Sequence, residues 1–349
     1  MPVPIVYDDC LSKYTFPGKH PFQGSRFPKF LNYFKSTSAF RERLAEIVGF
    51  SPPPPTEEDL LLVHTKSYIE KVKRICSRGW GYLDLDTPLT EQMFSAAICV
   101  VHSSLTAGKL VYEDHQIAIG IGGGLHHASK DRGGGFCVFN DVAILARKMQ
   151  SLGFKKVFIF DYDAHCGDGT MEIFYDDPSV FFFSVHQDPN TLYPGTGFPN
   201  QIGEGDGEGF TCNVPLPPGS GRRCYEAVIN ELFLPLIEQF KPDILICNGG
   251  CDPHHSDPLT ALNLDLNGFN MVGRKIREIG LRVCGKIVDL ICSGYNEQVL
   301  PEAWSAIIYG LLGLEGPRKE EVQEHDTILS AALDNIREVK RFLKPYWDI

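Results

Sequence analysis

The sequence lacks the features that mark several classes of protein. No apolar stretch reaches 18 residues, so we expect no segment that spans a membrane. The first residues, Met-Pro-Val-Pro, lack the basic start and long apolar run of a secretory signal peptide. The 11 cysteines are odd in number and none forms a Cys-x-x-Cys pair, which favours buried thiols in a reducing compartment over a disulfide framework. We therefore expect a cytoplasmic protein.

Positive charge is also scarce. The chain carries 33 lysines and arginines against 44 aspartates and glutamates, a formal net charge of -11. An acidic chain repels phosphate backbones, so we expect no direct nucleic-acid ligand, and cationic substrates fit better. Hydrophobic residues make up 43% of the 349 positions, enough for a sizeable core, and no internal repeat divides the chain. We expect one domain over residues 1–349.

Short apolar runs alternate with helical patterns. Five runs are too short for ordinary helices, and we predict strands at 117–121, 157–160, 180–185, 244–247 and 286–292. Helices are predicted at 91–109, with Thr90 as N-cap, at 141–152, 219–240 and 326–342, and from near Thr56, with Asp59 three residues on. The alternation predicts an α/β fold with a mostly parallel sheet covered by helices on both faces.

Reactive side chains collect where the predicted strands end. In an open parallel sheet, ligands bind beyond the carboxyl ends of the strands. Residues of the types that carry chemistry lie in five such segments: 122–127, 161–168, 184–186, 248–257 and 293–295. The sequence therefore predicts one composite site at this edge of the sheet.

The segment Asp161-Tyr-Asp163-Ala-His165 has the spacing of a metal site. In a strand, residues two apart face the same way, so the three side chains project together. Asp163 and His165 suit zinc or another divalent metal, with Asp252 as the leading third ligand and Asp161 orienting a histidine. Three protein ligands leave a position open for water, as in catalytic sites. An isolated Asp-x-His is usually a chance surface feature, so the prediction depends on the neighbouring motifs.

Two further motifs supply acid–base and hydrogen-bonding groups. His126 and His127 follow three glycines and could act as acid and base near neutral pH. A second pair, His254-His255, we interpret as solvated loop histidines. Tyr295, after a strand, could donate a hydrogen bond to a carbonyl oxygen that becomes negative, although most such tyrosines only pack.

Taken in order, these motifs resemble the histone deacetylase family, which includes the acetoin-utilisation-type and acetylpolyamine amidohydrolases. The resemblance covers most of the chain and is specific as a conjunction. Its parts are His20-Pro21 with Arg26, Val63-His64-Thr65-x-x-Tyr68, Gly123 to His127, Gly134 to Cys137 with Asn140-Asp141, Asp161 to Gly169, Tyr193 to Gly197, Asp252 with Asp257-Pro258, and Gly294-Tyr295.

The resemblance implies an arginase/deacetylase fold with a central sheet of about eight strands, and a role for each site residue. It implies that Asp163, His165 and Asp252 bind one zinc ion. It places His126 and His127 beside the zinc-bound water, paired with Asp161 and Asp168, and makes Tyr295 the group that polarises the carbonyl. The implied substrate tunnel is lined by Gly135, Phe136, Tyr193 and Leu259, with Asp86 at its rim. A structural K⁺ or Na⁺ site is implied at Asp161, Asp163, His165 and Ser184.

The implied activity is zinc-dependent hydrolysis of an N-acyl, above all N-acetyl, lysine or polyamine. Cys166, Cys251 and Ser293 depart from the usual family residues, which leaves the subfamily and substrate open. One alternative is a ureohydrolase with two manganese ions, but its signatures require Asp where Gly167 and His254 stand. The other is a non-catalytic acyl-lysine or polyamine binding protein, against which both histidines and the tyrosine argue. The sequence sets no oligomeric state.

Overall fold

An eight-stranded parallel sheet forms the centre of the computed structural model, which describes all residues from Met1 to Ile349. The strand order is β2-β1-β5-β10-β9-β6-β7-β8, and β3 and β4 form a separate antiparallel hairpin. The strands are β1 Val3–Val6, β2 Ala45–Val48, β3 Trp80–Tyr82, β4 Pro88–Thr90, β5 Ile117–Ile121, β6 Val157–Asp161, β7 Val180–Gln187, β8 Thr211–Leu216, β9 Ile244–Gly250 and β10 Ile287–Ser293. The predicted α/β fold with about eight sheet strands is confirmed.

Helices cover both faces of the sheet. They are α1 Arg26–Lys35, α2 Ser38–Arg41, α3 Glu57–Leu60, α4 Lys66–Ser77, α5 Met93–Glu113, α6 Asp141–Ser151, α7 Asp168–Phe174, α8 Arg222–Val228, α9 Leu234–Phe240, α10 Leu266–Val283, α11 Leu300–Leu311 and α12 Asp326–Leu343. Short 3-10 turns occupy Asp9–Lys13 and Gly205–Gly207, and a π turn spans Ile229–Phe233.

The central strands are apolar on both faces because helices bury each face of the sheet. In β6, Phe158 and Phe160 belong to the larger of two hydrophobic cores, whereas Val157 and Ile159 belong to the smaller one on the opposite face. This division follows from the two-residue period of a strand. A strand buried on both faces reads as a continuous apolar run, which is why the five runs were recognisable in the sequence.

Two predicted helix starts had different outcomes. Thr56 and Asp59 form the expected capping box at the start of α3. The prediction that Thr90 caps a helix is wrong, because Thr90 ends β4 and pairs with Trp80 across the hairpin, and α5 begins only at Met93. The predicted helix over 219–240 is divided into α8 and α9 by the π turn, and Pro235, which has no N–H to donate, lies in the first turn of α9.

The expectation of buried thiols in place of a disulfide framework fails at one pair of cysteines. Cys10 and Cys99 are bonded, whereas the other nine cysteines are free thiols and all but Cys284 are buried. The 3-10 turn that carries Cys10 packs against α5, which brings the two Cα atoms to 6.2 Å. This separation lies within the range that a disulfide spans. The partners are 89 residues apart in the sequence, so no local motif reveals them.

Helix α5 is long and apolar enough to cross a membrane when judged by length and composition alone. Its most apolar 18-residue window has a mean hydropathy of 1.4, and 56% of that window is buried inside the protein. The helix packs against α6 and β5. Its position is therefore that of a core helix covering the sheet.

The order of the strands brings the predicted reactive segments to one edge. Strands β5, β10, β9 and β6 are consecutive neighbours and all parallel, so their carboxyl ends lie side by side. Asp161 at the end of β6 is in register with Asn248 on β9 and with Ser184 on β7. The loops that leave these ends build the site.

Candidate active site

Three residues from neighbouring strand ends bring possible metal-binding atoms together. Asp163 and His165 follow β6, and Asp252 follows β9. His165 Nδ1 lies 3.1 Å from Asp163 Oδ1 and 2.8 Å from Asp252 Oδ2. The three donor atoms all lie within 4.8 Å of one another. The structure thus assembles the set that the sequence predicts as metal ligands.

The charge of this cluster fits a divalent cation. Asp163 and Asp252 are 4% and 0% exposed, and histidines are their only ion-pair partners. Two buried carboxylates require compensating positive charge, which neighbouring imidazoles supply only in part. Two carboxylates and one imidazole nitrogen form a donor set that suits zinc and leaves a fourth position open.

The adjacent histidines lie beside the cluster, and each is held by its own carboxylate. His126 Nδ1 lies 2.7 Å from Asp161 Oδ2, and His127 Nδ1 lies 2.7 Å from Asp168 Oδ1. The two Nε2 atoms face each other at 3.1 Å. These are the pairs that the family resemblance implies, and each carboxylate fixes the orientation of its histidine ring.

The two histidines differ in their electrostatic surroundings. Burial lowers the pKa of His127 and the neighbouring His126 lowers it further, to about 4, against the raising effect of Asp168. Burial also opposes the charged form of His126, but the carboxylates of Asp161 and Asp163 outweigh it and raise its pKa to about 9. Near neutral pH, His127 is therefore a neutral base beside a positively charged His126.

Tyr295 follows β10 and lines the same cavity. Its backbone N–H donates to Asp257 Oδ2 at 2.7 Å, and its ring packs edge to face on Phe136 with centroids 5.8 Å apart. Burial raises the pKa of its hydroxyl well above the ordinary value, so the group stays protonated. The hydroxyl makes no hydrogen bond within the protein, which leaves it free to donate to a carbonyl oxygen in the cavity.

A strained residue presents an aromatic ring to the cavity. Phe136 has a φ of 68°, a left-handed conformation that bulky residues rarely adopt. Its N–H donates to Thr87 Oγ1 at 2.9 Å, and its carbonyl accepts from the Tyr14 hydroxyl at 2.6 Å. The preceding residue must be a glycine, because a Cβ on Gly135 would lie 2.5 Å from the His127 ring. Hydrogen bonds on both sides therefore hold the backbone in its strained conformation.

The cavity is narrow. Its volume is about 200 Å³, below the roughly 300–1,000 Å³ of pockets for drug-sized ligands. Tyr193 lies edge to face on His127 with ring centroids 5.0 Å apart, and Tyr193 and Leu259 are partly exposed. All four predicted tunnel residues line the cavity: Gly135, Phe136, Tyr193 and Leu259. The dimensions suit an unbranched stem better than a bulky ligand.

The cavity also has an acidic residue in its wall. Asp86 lines it, and its backbone N–H donates to Asp84 Oδ1 at 3.2 Å. Burial, reinforced by the nearby Asp84, raises the pKa of Asp86 to about 6. Asp84 also accepts a hydrogen bond from the Gly135 N–H at 3.2 Å. The predicted rim residue therefore has an acidic neighbour beside the cavity.

The residues implied for a monovalent cation are close in the sheet. Ser184 on β7 pairs in register with Asp161, and the chain beyond β6 supplies the others. His186 Nε2 lies 2.9 Å from the Gly197 carbonyl, which only accepts, so Nε2 carries the proton. His186 Nδ1 then accepts the hydroxyl proton of Ser184 at 2.8 Å. The Ser184 oxygen keeps its lone pairs, as a cation ligand requires.

Three residues to which the sequence analysis gave no role contact the predicted site residues. Ser293 Oγ donates to Asp252 Oδ1 at 2.8 Å, and the Asn248 amide nitrogen lies 3.1 Å from His126 Nδ1. Asp257 holds the backbone of the tyrosine, as described above. Their position at the ends of predicted strands was the available signal, but nothing in their residue types indicated which partners they would contact.

The structure argues against the binuclear metal arrangement of a ureohydrolase. A Cβ at Gly167 would lie 2.4 Å from Asp161 Oδ2 and 3.1 Å from His126 Nδ1, which leaves no room for the required carboxylate. His254, the other position where that signature requires Asp, contacts Glu320 instead of the cluster. The second metal position of that enzyme class is therefore not built here.

Comparison with known proteins agrees with this geometry. The histone deacetylase domain family matches residues 20–311. A probable deacetylase of Archaeoglobus fulgidus is 33% identical over 357 residues, which cover 98% of each chain. The acetoin utilization protein AcuC of Bacillus subtilis is 32% identical over 89% of this chain and 82% of its own. The crystal structure of the HDA15 HD domain superposes with a TM-score of 0.88 at 25% identity, covering 99% of this chain and 97% of that one.

Proposed function

This chain belongs to the histone deacetylase family, and we propose that it is a zinc-dependent deacylase that hydrolyses an N-acetylated lysine or polyamine. One observation carries the proposal. The buried cluster of Asp163, His165 and Asp252 adjoins a narrow cavity whose wall also holds the histidine pair and Tyr295. That combination supplies a metal site, a base and a hydrogen-bond donor within one small volume.

The donors Asp163, His165 and Asp252 would hold the zinc ion. When bound, zinc acts as a Lewis acid toward the amide carbonyl and lowers the pKa of water from 15.7 to about 7. The Tyr295 hydroxyl donates a hydrogen bond to the carbonyl oxygen as negative charge develops on it. The neighbouring Phe136 ring limits how far the tyrosine ring can move.

The histidine pair handles the protons in this proposal. His127 keeps Nδ1–H directed at Asp168, which leaves Nε2 to take a proton from the attacking water. The same Nε2 then gives the proton to the amine nitrogen as it leaves. His126, whose ring is held by Asp161, contributes mainly electrostatically to the same step. No side chain forms a covalent bond to the acyl group.

The cavity and its rim support a linear, cationic substrate. A stem such as the lysine side chain or a polyamine chain fits between the rings of Phe136 and Tyr193. Asp86 lines the cavity, Asp84 contacts the backbone of Asp86 and Gly135, and the whole chain is acidic. An acetylpolyamine keeps protonated amines along its chain, whereas an acetylated lysine side chain is neutral and brings positive charge only through basic residues next to it. These carboxylates therefore favour polyamines and peptides with basic neighbours.

A monovalent cation is the second ion in the proposal. Asp161, Asp163, His165 and Ser184 would surround K⁺ or Na⁺ behind the catalytic cluster. The free lone pairs of the Ser184 hydroxyl support this role. Thermal stability that rises with added KCl, but not with equal ionic strength of a large organic cation, is the expected result.

The test compares acetyl-lysine peptides, acetylpolyamines and longer acyl-lysines on the full chain. Hydrolysis should stop when zinc is chelated and return when zinc is restored, and hydroxamates on acyl-lysine-like linkers should inhibit it. Hydrolysis that survives complete metal removal would instead favour a covalent mechanism. Binding of these compounds with no turnover by zinc-loaded protein would favour the non-catalytic alternative.

A further inference from the structure

A second cluster of possible metal ligands lies outside the catalytic cavity. His254 and His255 lie on the loop after β9. Glu320 lies on the segment 312–325 that joins α11 to α12, which we call the strap. The interpretation of this pair as solvated histidines is wrong for His254, which is only 2% exposed. The side chain of His255 is about one-third exposed.

The three side chains converge on one point. His254 Nε2 lies 3.0 Å from Glu320 Oε2, and His255 Nε2 lies 3.1 Å from Glu320 Oε1. One donor atom from each of the three residues lies within 4.8 Å of the other two. The imidazole rings stand side by side with centroids 4.2 Å apart, so both Nε2 atoms reach the same carboxylate.

We propose that His254, His255 and Glu320 bind a second divalent metal ion, for which zinc is the expected occupant. Two imidazole nitrogens and one carboxylate oxygen form a zinc-type donor set, and a water molecule would complete four-coordination. No lysine or arginine pairs with Glu320, whose ion-pair partners are these two histidines. The site is separate from the catalytic cluster and does not depend on the proposed deacylase activity.

The surroundings of His254 match those of a metal-binding histidine. Its Nδ1 lies 2.8 Å from Ser256 Oγ and accepts from the Ser256 backbone N–H at 3.2 Å. With Nε2 on the ion, Nδ1 would carry a proton and donate to the hydroxyl, in place of accepting from the backbone. Ser256 Oγ also accepts from the Asn296 amide at 2.8 Å, and Asn296 directly follows Tyr295 in the chain. Ser256 therefore fixes the ring of His254 and also contacts Asn296, the residue next to Tyr295.

An ion at this position would connect two segments that are distant in the sequence. The strap is already anchored by Glu324, which accepts from the N–H groups of Gly221 and Arg223 at the start of α8, and by its Val322 N–H, which donates to Asp265. An ion on Glu320 would join the strap to the loop between Asp252 and Asp257. It would restrain the segment that supplies a catalytic ligand.

The test counts zinc ions per full-length chain by elemental analysis after saturation and dialysis. Wild type should retain two. His255→Ala and Glu320→Gln should each retain one, whereas Glu321→Gln, a neighbouring exposed carboxylate that pairs only with Arg222, should retain two. Asp252→Ala should also retain one ion, because it removes the catalytic site alone. Crystals of wild type should show zinc anomalous scattering beside His254 Nε2.

Two results would overturn the proposal. The first is a single zinc ion per wild-type chain, with anomalous density at Asp252 only, which would mean that Glu320 is hydrogen-bonded to the histidines without a metal. The second is an undiminished count in both His255→Ala and Glu320→Gln. Failure of the deacylase proposal would appear differently, as zinc-loaded protein that hydrolyses no acyl amide whatever its metal count.

Discussion

Removal of a single oxygen from Tyr295 isolates the proposed stabilisation of the oxyanion. In Tyr295→Phe the ring, its packing on Phe136 and the bond from the backbone N–H to Asp257 all remain. The hydroxyl makes no hydrogen bond within the protein, so its loss leaves no partner unsatisfied. We therefore expect the free energy of unfolding to change by less than about 0.5 kcal/mol, as for other substitutions that break no internal contact.

Turnover should fall much more. Loss of one oxyanion donor costs about 10²–10³ in kcat, equivalent to roughly 2.7–4 kcal/mol of transition-state stabilisation. KM should change little, because the carbonyl oxygen carries its full charge only near the transition state. The assay is single-turnover hydrolysis of an acetyl-lysine peptide, with zinc content and thermal melting measured on the same samples. Near-normal turnover at full zinc occupancy would show that Tyr295 only packs, and would refute the proposed role.

Three further predictions follow from the charges of the site. Asp252→Ala should weaken catalytic zinc binding by more than about 100-fold, since mutation of a residue that only hydrogen-bonds to a metal ligand already lowers metal affinity about 10- to 100-fold. Unchanged zinc affinity would exclude Asp252 as a ligand. Against burial, the carboxylates of Asp161 and Asp163 raise the pKa of His126 to about 9, so in metal-free protein the ring should lose its proton as pH rises through about 9. Asp161→Asn should move this titration, followed by the histidine NMR signals, to lower pH; an unmoved titration would contradict the assignment. Asp86→Asn should raise KM for cationic acetyl amides about 2- to 5-fold, which is the effect of losing one solvent-accessible charge pair. Neutral acetyl amides are the control, and an equal rise in KM for both would mean that Asp86 does not select for substrate charge.

The parts of the site that were predictable lie on strands buried on both faces. Such strands appear as continuous apolar runs, and the parallel topology brings their ends together, so Asp163 and Asp252 could be associated although they lie on separate segments. The end of each run also marked where reactive residues begin. The antiparallel β3-β4 hairpin has no such run, and Thr90 was mistaken for a helix cap because the local sequence suits either role.

The contacts that were missed depend on partners distant in the sequence. His254 looked like a solvated loop residue because its environment is created by Glu320, on a segment two helices further along. The Cys10–Cys99 bond and the contact of Ser293 with Asp252 were equally invisible, since no periodicity relates their positions. Pattern analysis finds elements that repeat locally, whereas these contacts arise only from the arrangement of the elements in space.

The strand order also determines when during folding the site can form. β5 and β10 are neighbours in the centre of the sheet, although four other strands lie between them in the sequence. Pairing across so long a loop is slow, and it must be complete before the histidine pair meets Tyr295. A chain that ends before residue 287 would lack β10 and leave β5 and β9 without their shared neighbour. The complete pocket therefore exists only once the central strand β10 is inserted between β5 and β9.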